Sequence, residues 1–140
     1  MILLDTSVLI AVAHVHHVHH EPSRNLWNQC SARDTAVNTH TMAELYNVFT
    51  SMPRAFRLSP RNANAAIGTF LDRVTPVALT TEEYRETVRA ASALGIAGGG
   101  IYDALHVACA RKVDAEQIYT WNIRDFRRAA PDLAERIVTP

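Results

Sequence analysis

The 140-residue chain holds only two cysteines, five glycines and a single lysine, Lys112, and neither sign of charge is in excess. Each shortage excludes something. Cys30 and Cys109 lie far apart with no paired-ligand or redox spacing, so they read as small buried apolar residues and not as a bridge or a metal clasp. Fourteen basic side chains cancel fourteen acidic ones, which rules out a uniformly basic coat for nucleic acid while leaving a local patch open. No apolar run approaches the ~18 residues that cross a bilayer. The opening Met1–Leu4 and Val8–Ala13 stretches imitate a signal peptide, but no basic residue precedes them and Asp5 interrupts them. Export is not expected, and the chain is read as cytoplasmic.

Missing motifs narrow the chemistry further. No glycine run is followed by Lys-Ser or Lys-Thr, so a Walker loop is absent. Gly98-Gly99-Gly100 follows a helical stretch and not the first strand, which excludes the dinucleotide fingerprint. There is no G-x-S-x-G elbow. Asp5-Thr6-Ser7 lacks the second aspartate that an aspartyl-phosphate enzyme places two residues after its nucleophile.

What is present is ample apolar material, 48% of residues, enough for one domain over residues 1–140 without staples. Short β-like runs alternate with helical periods. Ile2–Leu4, Thr35–Asn38, Val77–Leu79, Gln117–Thr120 and Arg136–Thr139 read as strands. Helices are expected from Ser7 to Ala13, from Pro22 through Trp27, and through Met42, Leu45 and Phe49. Another starts at the Ser59-Pro60 cap and carries Ala63, Ile67 and Phe70. Thr80 with Glu83 makes a capping box, and Ile101–Lys112 and Ile123–Ala129 complete the set. This alternation predicts an α/β fold with a mostly parallel sheet and helices on both faces.

In such a sheet, ligands bind where strands end. Asp5 follows the first strand, Glu44 lies one turn into the helix after the second, and Asp103 sits just inside the helix after the glycines. Asn122 and Asp125 follow the strand that ends at Thr120. Carboxylates forced together repel unless a cation or proton neutralises them. Oxygen-only ligands select Mg²⁺ or Mn²⁺, which can activate water against a phosphoryl group. Each residue also has an ordinary reading: Asp5 as a helix cap, Glu44 as a solvated helix residue, Asp103 as a partner for the helix dipole.

Leu3-Leu4-Asp5-Thr6-Ser7-Val8-Leu9 resembles the opening of PIN-domain nucleases, and Ala43-Glu44-Leu45 fits their internal glutamate. Gly100-Ile101-Tyr102-Asp103-Ala104-Leu105-His106-Val107-Ala108 is similar to their apolar-Asp-Ala-x-x-x-Ala helix. Thr120-Trp121-Asn122-Ile123-Arg124-Asp125-Phe126 is similar to their late loop. These segments run in family order along nearly the whole chain, whose length resembles the stand-alone VapC-type bacterial toxins. The resemblance implies a three-layer α/β/α PIN-like domain and a magnesium-dependent endoribonuclease, with Asp5, Glu44 and Asp103 as metal ligands. Asn122 or Asp125 would fill a fourth catalytic position, with Asn122 orienting a ligand or water. It further implies an RNA substrate such as transfer RNA, a cognate antitoxin and a homodimer. A non-catalytic module, or a phosphoesterase acting on DNA or small phosphate esters with the same carboxylates, is the alternative.

Two features stand outside these motifs. His14, His16, His17, His19 and His20 crowd one loop, where zinc or nickel binding, contact with RNA or antitoxin, and simple solvation all remain open. Arg54, Arg57 and Arg61, and then Arg124, Arg127 and Arg128, form two basic stretches, the second beside the proposed site. His106, one helical turn beyond Asp103, reads either as a buried core histidine or as a neighbour of the site.

Overall fold

The computed structural model describes residues 1–140. It runs β1 (Ile2–Leu4), α1 (Thr6–Ala13), α2 (His20–Gln29), β2 (Thr35–Asn38), α3 (Thr41–Ser51) and α4 (Pro60–Leu71). The second half runs β3 (Thr75–Val77), α5 (Thr81–Ala93), α6 (Gly100–Lys112), β4 (Gln117–Tyr119), α7 (Ile123–Ala129), a short 3-10 helix (Pro131–Arg136) and β5 (Ile137–Val138). The five strands form one sheet in the order β3-β2-β1-β4-β5, and every pairing is parallel.

The register explains the two cores. Leu3 pairs with Ala36 and Ile118, while Leu4 pairs with Val37 and Tyr119. Side chains alternate along a strand, so Leu3, Ala36 and Ile118 pack on one face with Val107 and Phe126 of α6 and α7. Leu4 and Val37 pack on the other with Leu9, Trp27, Leu45, Phe49 and Ile67 from α1 to α4. Both faces are covered, which is why β1 is apolar throughout. Each fully buried leucine or phenylalanine here contributes about 1.5–3 kcal/mol.

Local signals placed most of the helices. Ser59 accepts a hydrogen bond from the Asn62 amide at the start of α4. At α5 the Thr80 hydroxyl accepts from the Glu83 amide at 3.2 Å and the Glu83 carboxylate accepts from the Thr80 amide at 2.6 Å. Helix α5 closes through Gly95, whose φ of +65° suits glycine. The Ile96 amide then reaches back to the Ala91 carbonyl at 2.9 Å. A Cβ at Gly100 would come within 2.8 Å of Ile96 Cγ2, so this glycine lets α6 begin tight against that turn.

Three expected boundaries moved. The strand expected at Val77–Leu79 lies at Thr75–Val77. Pro76 cannot donate to a ladder, but β3 is an edge strand, where that loss is tolerated. Helix α2 begins at His20 and not at Pro22, since proline is compatible with any position in a first turn. The final strand is shortened to Ile137–Val138 because the Pro131–Arg136 turn takes up Arg136.

Candidate active site

Strand β1 is the switch point of the sheet, with the earlier strands on one side of it and the later strands on the other. The crevice at its carboxyl end is where this architecture places ligands. Asp5 leaves β1 there, 6% exposed. Although it occupies the cap position of α1, its side chain makes no capping bond, so the capping reading falls. Its Oδ2 accepts instead from Ser7 Oγ at 2.5 Å and from Thr120 Oγ1 at 2.8 Å. Thr120, at the end of β4, in turn accepts from the Asn122 amide at 2.9 Å. One hydroxyl thus ties the loops after β1 and β4 together.

Glu44, in the first turn of α3, accepts from the Thr6 hydroxyl and from His106 Nε2 at 3.1 Å. His106 Nε2 also lies 3.6 Å from Asp5 Oδ1. Carboxylates only accept, so Nε2 carries the proton; Nδ1 is buried without a partner. Asp103, in the first turn of α6, has the Asn122 side-chain nitrogen 3.4 Å from both of its oxygens. Asp125 stands at the rim, paired with Arg124 at 3.2 Å. The structure therefore links Asp5 to Glu44 through His106, and Asp103 to Asn122, with Asp125 on the edge of the same cleft.

Thr6, Ser7 and Thr120 lie inside the sequence motifs, but nothing in the order of residues told which hydroxyl meets which carboxylate. His106 proves to be both buried and in the site. Its i+3 spacing from Asp103 was the available signal.

The electrostatics show a crowded acidic group. Burial, with the charge of Asp5 behind it, pushes the Asp103 carboxyl up to about 6, against the bond from Asn122 and the nearby His106. Burial alone would suppress the His106 cation, but the Glu44 bond and the charges of Asp5, Glu44 and Asp103 outweigh it and raise its pKa. Burial likewise opposes the Glu44 anion, and its bond to His106, the His106 charge and the Thr6 bond outweigh that, so its pKa is lowered. The His106 ring faces the carboxylates of Asp5 and Glu44 and favours their charged forms, while burial and the charge of Asp5 push Asp103 toward its neutral form.

The donor set of carboxylate and amide oxygens fits a hard divalent cation. No three His, Cys, Asp or Glu side chains are gathered into a cage for one ion.

Two clefts flank the group. One of about 460 Å³ is lined by Asp103, Asn122, Asp125, Arg128, Tyr102 and Glu44 among others. The other, about 480 Å³, includes Asp5, Ser7, Glu44, His40, Tyr102 and Asn122. Of the arginines beside the site, Arg128 reaches this wall and also donates to the Gly95 carbonyl at 2.8 Å, while Arg127 is committed to the Ile137 carbonyl. Arg54 and Arg57 line a separate surface hollow.

Four of the five clustered histidines have partners of different kinds. His14 meets Phe49 edge-on, His20 Nδ1 lies 2.8 Å from the Ala11 carbonyl, and His17 Nδ1 accepts from the His19 amide. His19 stacks on Trp121 at 3.7 Å. They form no joint metal site.

A match to the PIN domain covers residues 2–131. The chain belongs to the PIN domain family. Among relatives, Ribonuclease VapC27 of Mycobacterium tuberculosis is 31% identical over 113 residues, 81% of this chain and 79% of that one. Among solved structures, Mycobacterium tuberculosis VapC20, described as a Sarcin-Ricin loop cleaving toxin, superposes with a TM-score of 0.75 at 21% identity, covering 93% of this chain and 95% of that one. VapBC2 from Rickettsia felis, solved bound to a DNA fragment from its promoter, gives 0.69 at 18% identity, covering 100% and 99%. The expected three-layer α/β/α PIN fold with its parallel sheet is the fold observed. No helix of this PIN domain is long and apolar enough to cross a membrane.

Proposed function

We propose that this PIN domain is a toxin-type endoribonuclease that hydrolyses RNA phosphodiester bonds with Mg²⁺ or Mn²⁺. The observation that carries the reading is that Asp5, Glu44 and Asp103 all face His106 at the carboxyl edge of the sheet, in a chain 31% identical to a protein named a ribonuclease. Asp5, Glu44 and Asp103 would hold the cation. When bound, such an ion neutralises the carboxylates, polarises the phosphoryl oxygens and makes water a stronger nucleophile.

The chain's own residues do the rest. Ser7 and Thr120 fix the Asp5 carboxylate by donating to Oδ2, leaving Oδ1 without a hydrogen bond and 3.6 Å from His106 Nε2. Thr6 and His106 orient Glu44. Asn122 holds Asp103 through a neutral amide and adds no further repulsion. Asp125 stays at the rim as a weaker fourth participant, and Arg128 is placed to meet a phosphate along the same wall. VapC-type kinship supports a cognate antitoxin that restrains the activity, and a homodimer that carries two such sites.

The test is to incubate purified protein with labelled RNA, labelled DNA and a small phosphate ester, with and without Mg²⁺ or Mn²⁺. Metal-dependent RNA cleavage that disappears in Asp5→Asn and Asp103→Asn is the expected result. Turnover of DNA or the ester alone, or full activity in Asp103→Asn, overturns the reading.

A further inference from the structure

Tyr102 is a large aromatic residue that the core does not enclose. It precedes Asp103 on α6, yet 46% of it is exposed, and it lines both clefts that border the acidic group. Its ring is not free to wander. It lies against His40 with centroids 4.9 Å apart and planes 8° from parallel, the offset geometry favoured by aromatic pairs. The backbone amide of His40 donates to Asn38 Oδ1 at 2.9 Å, which holds the chain where α3 begins. Two stacked rings from the starts of α3 and α6 thus stand at the mouth of the site.

We propose that this Tyr102–His40 pair is a shelf on which one unpaired base of the RNA lies beside the bond to be cut. The inference rests on the ribonuclease reading above and adds to it the residues that would hold a nucleotide beside the cleaved bond. A base inside a duplex already has neighbours on both faces, whereas an unpaired base can stack on an aromatic side chain. Such stacking tolerates every base, because each has a π-face. It positions a nucleotide without reading its identity, and Arg128 in the adjoining cleft is placed for the backbone. A stacked ring presents no pattern of donors and acceptors to a base edge, so selection here acts on whether the base is paired and not on its sequence.

The test uses the full chain and a short oligoribonucleotide carrying a fluorescent adenine analogue at successive positions. With metal withheld, binding proceeds without cleavage, and the analogue should be quenched at one position beside the scissile bond. Tyr102→Ala should lose that quenching and weaken binding roughly 10-fold or more, the effect of removing one base-stacking side chain. Tyr102→Phe and Tyr102→Trp should keep both. With Mn²⁺ present, Tyr102→Ala should raise KM more than it lowers kcat, and the same strand annealed into a duplex should be a poor substrate. RNA cleaved equally well by wild type and Tyr102→Ala, or equally well as duplex and single strand, overturns the shelf and leaves the ribonuclease reading standing. If wild type neither binds nor cleaves RNA, both fall.

Discussion

His106 reaches Glu44 across 62 residues of sequence, with 3.1 Å between Nε2 and Oε2, and only 1% of its surface is exposed. A buried imidazole with a carboxylate partner on α3 and another on the end of β1 is a clamp between the two halves of the domain. Its pKa is raised and that of Glu44 is lowered, so each supports the other's charge.

The pair has a pH signature in metal-free protein. A raised histidine pKa contributes stability that is full below its ordinary 6.5 and is lost as pH rises through the higher folded value. A lowered glutamate pKa contributes stability that is full above its ordinary 4.5 and is lost as pH falls through the lower folded value. Both are therefore complete between pH 4.5 and 6.5. His106→Ala should cost about 2–3 kcal/mol in that window, by loss of a buried charge-assisted bond, with a smaller loss at pH 9. Urea titrations at three pH values decide it; a cost independent of pH would mean that only packing was lost.

Asp103 has the opposite character. Its carboxyl is pushed up to about 6, so ionising it weakens the fold as pH climbs past that value. Asp103→Asn should abolish cleavage yet stabilise the metal-free protein at pH 7.5. Raising a carboxyl from its ordinary 3.8 to about 6 corresponds to roughly 3 kcal/mol, and screening at a half-exposed site reduces this to about 1 kcal/mol. The melting point should rise by about 3–4 °C, and the gain should vanish near pH 4, where Asp103 is already neutral. A variant less stable than wild type at pH 7.5 would contradict the repulsion between Asp5 and Asp103.

Asn122→Asp should separate the metal-free and metal-bound states. A new carboxylate 3.4 Å from both Asp103 oxygens adds repulsion without the ion and attraction with it. The variant should melt below wild type in chelator but gain more than wild type from Mn²⁺, and it should keep more activity than Asn122→Ala. Equal metal-induced shifts in the three proteins would remove Asn122 from the ion's surroundings.

Hydrolysis on the carboxylates should need millimolar Mg²⁺ or Mn²⁺, with Ca²⁺ binding but turning over little. His16→Ala with His17→Ala should leave the Mn²⁺-dependent rate within roughly threefold, about 0.7 kcal/mol of barrier. A larger loss there, alongside retained activity in Glu44→Gln, would move the metal to the histidine loop.

Much of this was readable from the chain because the signals were local. The apolar run Ile2–Leu4, the Thr80–Glu83 box and the Ser59-Pro60 start each act within a few residues, and each formed where expected. The placement of Asp5 and Asn122 just past β1 and β4 was legible for a related reason, since the strands they follow were readable from the sequence. What stayed hidden depends on which elements become neighbours. The bonds from Thr120 to Asp5 and from His106 to Glu44 exist only because β4 docks beside β1 and because α3 and α6, on opposite faces of the sheet, both begin at its carboxyl edge. The strand expected at Val77–Leu79 lies two residues earlier, and the position of β3 at the sheet edge is what makes Pro76 acceptable within it.

The placement of β1 between β2 and β4 has a consequence for how the protein comes into being on the ribosome. The first strand made must wait for one made much later, since Leu3 pairs with Ile118 and Asp5 is gripped by Thr120 across 115 residues. A nascent chain that has emerged only as far as Lys112 carries Asp5, Glu44 and Asp103 but has no strand to close the centre of its sheet. Until β4 is made, Asp5 lacks the Thr120 hydroxyl and Asp103 lacks the Asn122 amide, and contacts that distant in sequence form slowly. The acidic group therefore reaches its final arrangement only when the last strands of the sheet are in place.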